Sequence, residues 1–264
     1  IFLIIMDRPI LLITCGPLGS GKSRLPKYTQ DYLKLNNTLL NKNKTNYLLI
    51  DDYVCANKNF KKGIDKLIEK YNIKSYKDLN KDIIEKFNEV YFKIRFEEKN
   101  CVEDKNLNCG DYLNYMFSKS LSEKKNVVFE TNGTYFCSWI FNYFGKYLKK
   151  NNYQIIMSWN VVPRNILIRR IKDRSRYNLE KYLDKEKEIP PRIPLLDKDE
   201  YLQNIKDIMN VFKGVCQKPK YKSYNLRLLV FDNENLKHRI IYDNQKRGKK
   251  AGLKAISKYL LVRD

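Results

Sequence analysis

The chain has 264 residues, with 52 Lys and Arg against 30 Asp and Glu, a formal net charge of +22. That length suits one α/β domain with insertions, and no apolar run approaches the length of a membrane span, so a soluble protein is expected. A lone histidine and six cysteines without a C-x-x-C pair argue against a zinc centre, and the cysteines read as reduced thiols of a cytoplasmic compartment.

The opening Ile1 to Ile5 is too short for a signal peptide, and reads as a strand extension or as sequence upstream of a start at Met6. Pro9 to Cys15 is predicted to be a buried strand, apolar apart from Thr14. Directly behind it stand Gly16, Pro17, Leu18, Gly19, Ser20, Gly21, Lys22 and Ser23, which fit G-x-x-x-x-G-K-[ST]. The glycines let the backbone curl so that successive N–H groups point inward, and a helix beginning near Lys22 adds its positive end. In that arrangement Lys22 can reach the outer phosphates of a nucleoside triphosphate and Ser23 can offer its hydroxyl to Mg²⁺. A chance glycine-rich turn would explain the loop but not the strand in front of it.

Ser23 to Leu40 is predicted as a helix with Pro26 in its first turn, and Tyr47 to Ile50 as a second strand ended by Asp51 and Asp52. From Phe60 to about Lys99 the apolar spacing is helical, as it is from Gly110 to Ser122. Asn126 to Glu130 reads as a third strand, followed by Thr131, Asn132 and Gly133. Trp139 to Lys150 is expected to be helical, Gln154 to Val162 a fourth strand, and Arg164 to Leu183 a helix rich in arginine. The prolines of Ile189 to Pro194 make a loop, and Tyr201 to Gly214 reads as a helix. Leu226 to Asp232 and Arg239 to Tyr242 complete the strands, and Gly252 to Leu260 closes with a helix. This alternation predicts an α/β fold: three layers around a mainly parallel sheet of five or six strands. Residues 6–264 read as one domain, with a helical insertion at about 57–122 and a basic extension at about 236–264.

In such sheets ligands bind at the carboxyl ends of the strands. The first three predicted strands end in the phosphate loop, in Asp51-Asp52 and in Glu130-Thr131-Asn132. One carboxylate there can take the proton of an attacking hydroxyl, and Glu130 with Ser23 can hold Mg²⁺. Helix capping is the alternative use for these acids. Side chains alternate along a strand, so Asp51 should follow Leu49 toward packed helices while Asp52 turns over the loop as the base. Arg170 and Arg174 are four apart and share a helix face, with Arg164, Arg169 and Arg176 nearby and Arg192 in the proline loop. Guanidinium groups so placed can contact a nucleotide and stabilise charge developing on its γ-phosphate; a solvated basic face is the alternative. With histidine scarce, a general base must be a carboxylate unless His238 serves.

GPLGSGKS, LIDDY, VVFETNG, the arginine helix after VVP, and LRLLVFDNEN together resemble the zeta-toxin-like P-loop kinases over about residues 8 to 235. That resemblance implies ATP- and Mg²⁺-dependent phosphorylation of a hydroxyl of UDP-N-acetylglucosamine or another small acceptor. It implies Asp51 or Asp52 as base, Glu130, Thr131 and Asn132 toward the substrate, and lid arginines on ATP. The positive charge keeps a polynucleotide 5′-hydroxyl kinase open, and also a kinase-derived basic protein that only binds. Dispersed lysines set by an AT-rich coding sequence would equally account for that charge, leaving Lys246 to Lys250 as its focus. A GTPase is disfavoured, because Asn57-Lys58-Asn59-Phe60 lacks the Asp that reads guanine.

Overall fold

The computed structural model describes residues 8–35, 39–41, 43–99, 101–102, 106–132, 136–195 (without side chains at 136–139) and 226–246, together with positions 203, 206–207, 209–210, 213, 224, 251–252, 254 and 257. The chain forms two compact units: Ile1–Leu48, Phe117–Leu167 and Lys198–Asp264 make the first, Leu49–Met116 and Ile168–Asp197 the second.

The first unit is built on a six-stranded sheet: β1 (Ile10–Cys15), β2 (Thr45–Leu48), β3 (Asn126–Thr131), β4 (Gln154–Val161), β5 (Arg227–Asp232) and β6 (Arg239–Asp243), in the order β2-β3-β1-β4-β5-β6. All neighbours are parallel except β5 and β6, which pair as an antiparallel hairpin. β1 is buried along its whole length, because a central strand covered on both faces gains from apolar residues at every position. On one face Ile10, Leu12, Val128, Ile156, Leu229 and Phe231 pack with Leu25 and Tyr28 of α1 (Leu25–Leu33). A Thr29–Ser158 hydroxyl contact of 2.8 Å satisfies the polar groups trapped there.

α1 ends earlier than the expected Leu40. Lys34 turns left-handed (φ 54°), Leu35 N–H donates back to Gln30 O, and the Gln30 side chain takes Leu39 N–H. Further helices among the described residues are α2 (Ile50–Ala56), α3 (Lys58–Lys70), α4 (Lys81–Phe96), α5 (Cys109–Ser122), α6 (Phe136–Tyr143), α7 (Gly145–Lys150) and α8 (Arg164–Leu183). Most of the predicted helices at Tyr201–Gly214 and Gly252–Leu260 lies outside the described residues.

The second unit has its own core of Val54, Phe60, Ile64, Phe87, Tyr91, Ile94, Leu179 and Tyr182. Asn57 starts α3 by accepting from Asn59 and Phe60 N–H, and Asn80 starts α4 by accepting from Ile83 N–H. A short 3-10 turn at Tyr76–Asp78, opened by a Ser75–Asp78 capping box, lies between them and divides the helical stretch expected from Phe60 to Lys99. One expectation is corrected here. Cys101 and Cys109 are joined in a disulfide rather than standing as reduced thiols. The loop between them closes on itself through Cys101 N–H donating to Leu107 O, which brings the two side chains together. No helix among the described residues is long and apolar enough to cross a membrane.

Candidate functional site

Strand register sets the phosphate loop. β1 ends at Cys15, paired with Thr131 on one side and Trp159 on the other, so the loop Gly16–Ser23 emerges between the ends of β3 and β4. Lys22 follows in a 3-10 turn, Lys22–Arg24, and its side chain is folded inward, only 8% exposed. Its ammonium donates to Pro17 O at 3.2 Å and stands 3.9 Å from Glu130 Oε1. Ser23 is exposed, Ser20 buried, and Leu18 and Gly19 half-buried along the loop.

Two glycines are obligatory for this curl. A Cβ on Gly16 (φ +143°) would meet Ser20 Oγ at 2.7 Å and Asn160 O at 2.8 Å. One on Gly21 (φ +84°) would meet Asn233 Nδ2 at 2.5 Å. Both glycines thus let the loop press against Ser20, Asn160 and Asn233 where a side chain would not fit.

Beneath the loop lies a buried polar layer that motif reading overlooks. Asn160 in β4 and Asn233 after β5 both donate to Ser20 O, at 2.9 and 2.7 Å, and both are fully buried. His238 Nε2 lies 3.1 Å from Asn160 Nδ2 and 3.2 Å from Gly21 O, with its ring stacked on Tyr28 at 4.1 Å. The signal available in the sequence is one asparagine inside the otherwise apolar SWNVV run, and the only histidine following the last long strand. His238 is a buried support of the loop here.

The candidate base and most of the arginines belong to the second unit. Asp51 and Asp52 do not end a strand, which corrects the alternation argument: β2 stops at Leu48, and both acids lie in the first turn of α2. The reason is the Ile50 and Val54 pair, four apart, which puts apolar side chains on one helix face and buries Val54. Acids in a first turn also complement the positive helix end. Asp51 is engaged by Arg192 Nη1, which donates to both its oxygens at 2.7 and 2.8 Å, and by Tyr91 O–H at 2.6 Å. The Arg192 guanidinium lies 4.2 Å from the centre of the Tyr91 ring.

Asp52 is exposed and makes no such pair among the described residues. Partial burial, then the neighbouring Asp51 charge, raises its carboxyl above the ordinary aspartate range. Cys55 reports the same cluster: burial chiefly pushes its thiol up to about 12, with Asp51 and Asp52 adding to the rise and Arg192 and Arg174 opposing it. In α8, Arg170 is half-buried and Arg174, Arg169 and Arg176 are exposed, the last 5.8 Å from the Tyr76 ring.

In the first unit, Thr131 is the last residue of β3, half-buried, and its hydroxyl is 3.5 Å from Asn132 Oδ1; Gly133 lies outside the described residues.

No family model matches the chain, and no curated protein does. Solved structures do. One from the PezAT chromosomal toxin–antitoxin system of Streptococcus pneumoniae matches over 96% of this chain and 77% of its own, with a TM-score of 0.54 at 11% identity. The AvrRxo1-ORF1:AvrRxo1-ORF2 complex with sulphate ions matches over 85% of this chain and 55% of its own, with a TM-score of 0.40 at 10% identity. At such identity the first of these likenesses shows the fold alone. The chain shares the fold of that PezAT structure, here a mostly parallel six-stranded sheet with the glycine-rich loop behind its first strand.

Proposed function

We propose that this protein is an ATP- and Mg²⁺-dependent kinase that transfers the γ-phosphoryl group to a hydroxyl of a small molecule or nucleotide sugar. The observation that carries the reading is Lys22: a buried cation in a loop that only glycine can form, 3.9 Å from the carboxylate of Glu130. Phosphoryl transfer asks a protein for positioning and charge neutralisation, and these groups supply both.

In this reading the N–H groups of Gly16 to Ser23 cradle the phosphates, Lys22 neutralises the outer ones, and Ser23 with Glu130 holds magnesium. The metal would neutralise charge on the phosphate oxygens. Asp52 accepts the proton of the acceptor hydroxyl. Its raised affinity for protons makes it a better base than an ordinary aspartate. Asp51 takes a different role, since Arg192 and Tyr91 hold it; this pair fixes α2 and thereby the place of Asp52. Arg170 and Arg174 are the guanidinium groups offered to the γ-phosphate, and Thr131 and Asn132 those offered to the acceptor. Net charge favours one second reading, a kinase acting on a polynucleotide 5′-hydroxyl end.

Calorimetric titration with Mg·ATP tests the donor half. Binding should be measurable in the parent and weaker by about ten- to a hundredfold in Lys22→Ala, the scale of one charge-assisted contact. Equal affinity in both proteins would remove the phosphate-loop reading.

A further inference from the structure

The polar layer under the phosphate loop serves no purpose that the proposed chemistry names. Three of its side chains, Asn160, Asn233 and His238, come from β4 and from the two ends of the loop joining β5 to β6, and each is at most 4% exposed. Burying amides and an imidazole in a sheet end is costly unless they are paired, and all three reach one short segment, Ser20-Gly21.

That segment matters because a trans peptide unit is planar, with its C=O and N–H pointing in opposite directions. Ser20 O shares a peptide plane with Gly21 N–H, and Gly21 O shares one with Lys22 N–H. Ser20 O is drawn toward the sheet by Asn160 at 2.9 Å and Asn233 at 2.7 Å. Gly21 N–H must then point to the opposite, concave side of the loop. His238 Nε2 at 3.2 Å from Gly21 O acts likewise on Lys22 N–H, alongside the Arg24 N–H that donates to the same oxygen at 3.1 Å.

The Nε2–H tautomer serves this role, donating to Gly21 O at 3.2 Å. With hydrogen on Nδ1, Nε2 would accept from Asn160 Nδ2 at 3.1 Å and face Gly21 O with a lone pair, leaving that carbonyl to Arg24 N–H. Stacking on Tyr28, centroids 4.1 Å apart and planes 13° from parallel, fixes the ring plane. The absence of a Cβ on Gly21 lets Asn233 come this close.

Resting on the phosphate-loop reading above, we propose that His238 is a positioning residue for nucleotide phosphate. With Asn160 and Asn233 it sets the two peptide planes that aim Gly21 N–H and Lys22 N–H at the anion. It touches no phosphate itself, and acts through the loop's own carbonyls.

His238→Phe keeps the aromatic stack and the buried volume but removes both ring nitrogens, while His238→Gln restores a donor and acceptor near the Nε2 position. Each would be titrated calorimetrically with Mg·ATP and with inorganic tripolyphosphate, beside the parent and Lys22→Ala, with Tm recorded for all. The expected result is a loss of about tenfold in affinity for both ligands in His238→Phe, the scale of one hydrogen bond, with Tm within a few degrees of the parent and recovery in His238→Gln. A purely structural role would lower Tm without separating the Phe and Gln variants in tripolyphosphate affinity. Parent-like affinity in His238→Phe, with binding lost in Lys22→Ala, overturns the positioning role and leaves the phosphate-loop reading standing. A parent that binds neither ligand overturns both. Should His238→Phe not fold, Asn233→Ala removes one donor to Ser20 O, and parent-like affinity there also overturns the proposal.

Discussion

Arg192 and Asp51 are joined by one nitrogen, Nη1, which donates to both carboxylate oxygens at 2.7 and 2.8 Å, and Tyr91 O–H adds a third hydrogen bond at 2.6 Å. The pair ties the proline loop to the first turn of α2. Burial works against the Arg192 charge, yet Asp51 and Tyr91 more than offset it and hold the guanidinium's affinity for its proton above the ordinary value. An arginine at 17% exposure whose partner is removed is left with an unmet charge, which is costlier than losing the bond.

Asp51→Ala and Arg192→Ala should therefore each destabilise the protein by about 1–3 kcal/mol, since both groups are only partly buried. The double variant should cost less than the sum of the two, because the second change removes the orphaned charge left by the first. Chemical denaturation of the three variants checks this; additive losses would show that the two groups are not coupled.

Asp52 lends itself to a pH experiment whose sign is fixed. Burial first and Asp51 second raise its carboxyl in the folded state, so the acid limb of kcat should lie above that of an ordinary aspartate at about 3.9. Asp51→Asn removes the second cause and should move that limb downward. The same shift has a stability counterpart. Below its unfolded value Asp52 is protonated in both states and costs nothing. As pH rises through the raised folded value, the folded state carries the penalty. Asp52→Asn should thus lose turnover and keep ATP affinity, while raising Tm at pH 7 but not at about pH 3.5. A variant with normal turnover, or one whose Tm gain is the same at both pH values, contradicts the assignment.

Gly21→Ala should lose Mg·ATP binding and destabilise the protein by about 1–2 kcal/mol. The new methyl meets Asn233 Nδ2 at 2.5 Å in a left-handed conformation that alanine resists. Thermal denaturation and calorimetry read the two effects separately, and a Gly21→Ala variant that binds as the parent does would mean the loop is not a close backbone cradle.

The phosphate loop and the sheet were legible in the sequence for local reasons. An apolar run from Pro9 to Cys15 broken only by Thr14, then a glycine pattern tied to one backbone geometry, leaves little choice of structure. Asp51 and Asp52 were legible as residue types, but their setting was not. LLIDDYV alternates weakly enough to read as a strand end, and the Ile50 and Val54 spacing that makes it helical has only two apolar members. The pairing of Asp51 with Arg192, 141 positions away, depends on how the second unit packs. The Asn160, Asn233 and His238 layer was invisible for the same reason: each residue is ordinary by itself, and strand register brings them under Ser20 and Gly21. The Cys101–Cys109 disulfide likewise joins residues whose spacing matches no familiar motif.

Phosphoryl transfer from ATP to a hydroxyl is read most directly with γ-labelled ATP and Mg²⁺. The protein would be incubated with pooled nucleotide sugars and, separately, with oligonucleotides bearing a 5′-hydroxyl, and the label followed by chromatography. Label should appear on a nucleotide sugar, and should be abolished in Asp52→Asn and in Lys22→Ala. Label on the oligonucleotide alone would move the acceptor to nucleic-acid ends. Tight ATP binding with no label on any hydroxyl in either pool would contradict the kinase assignment for these acceptors.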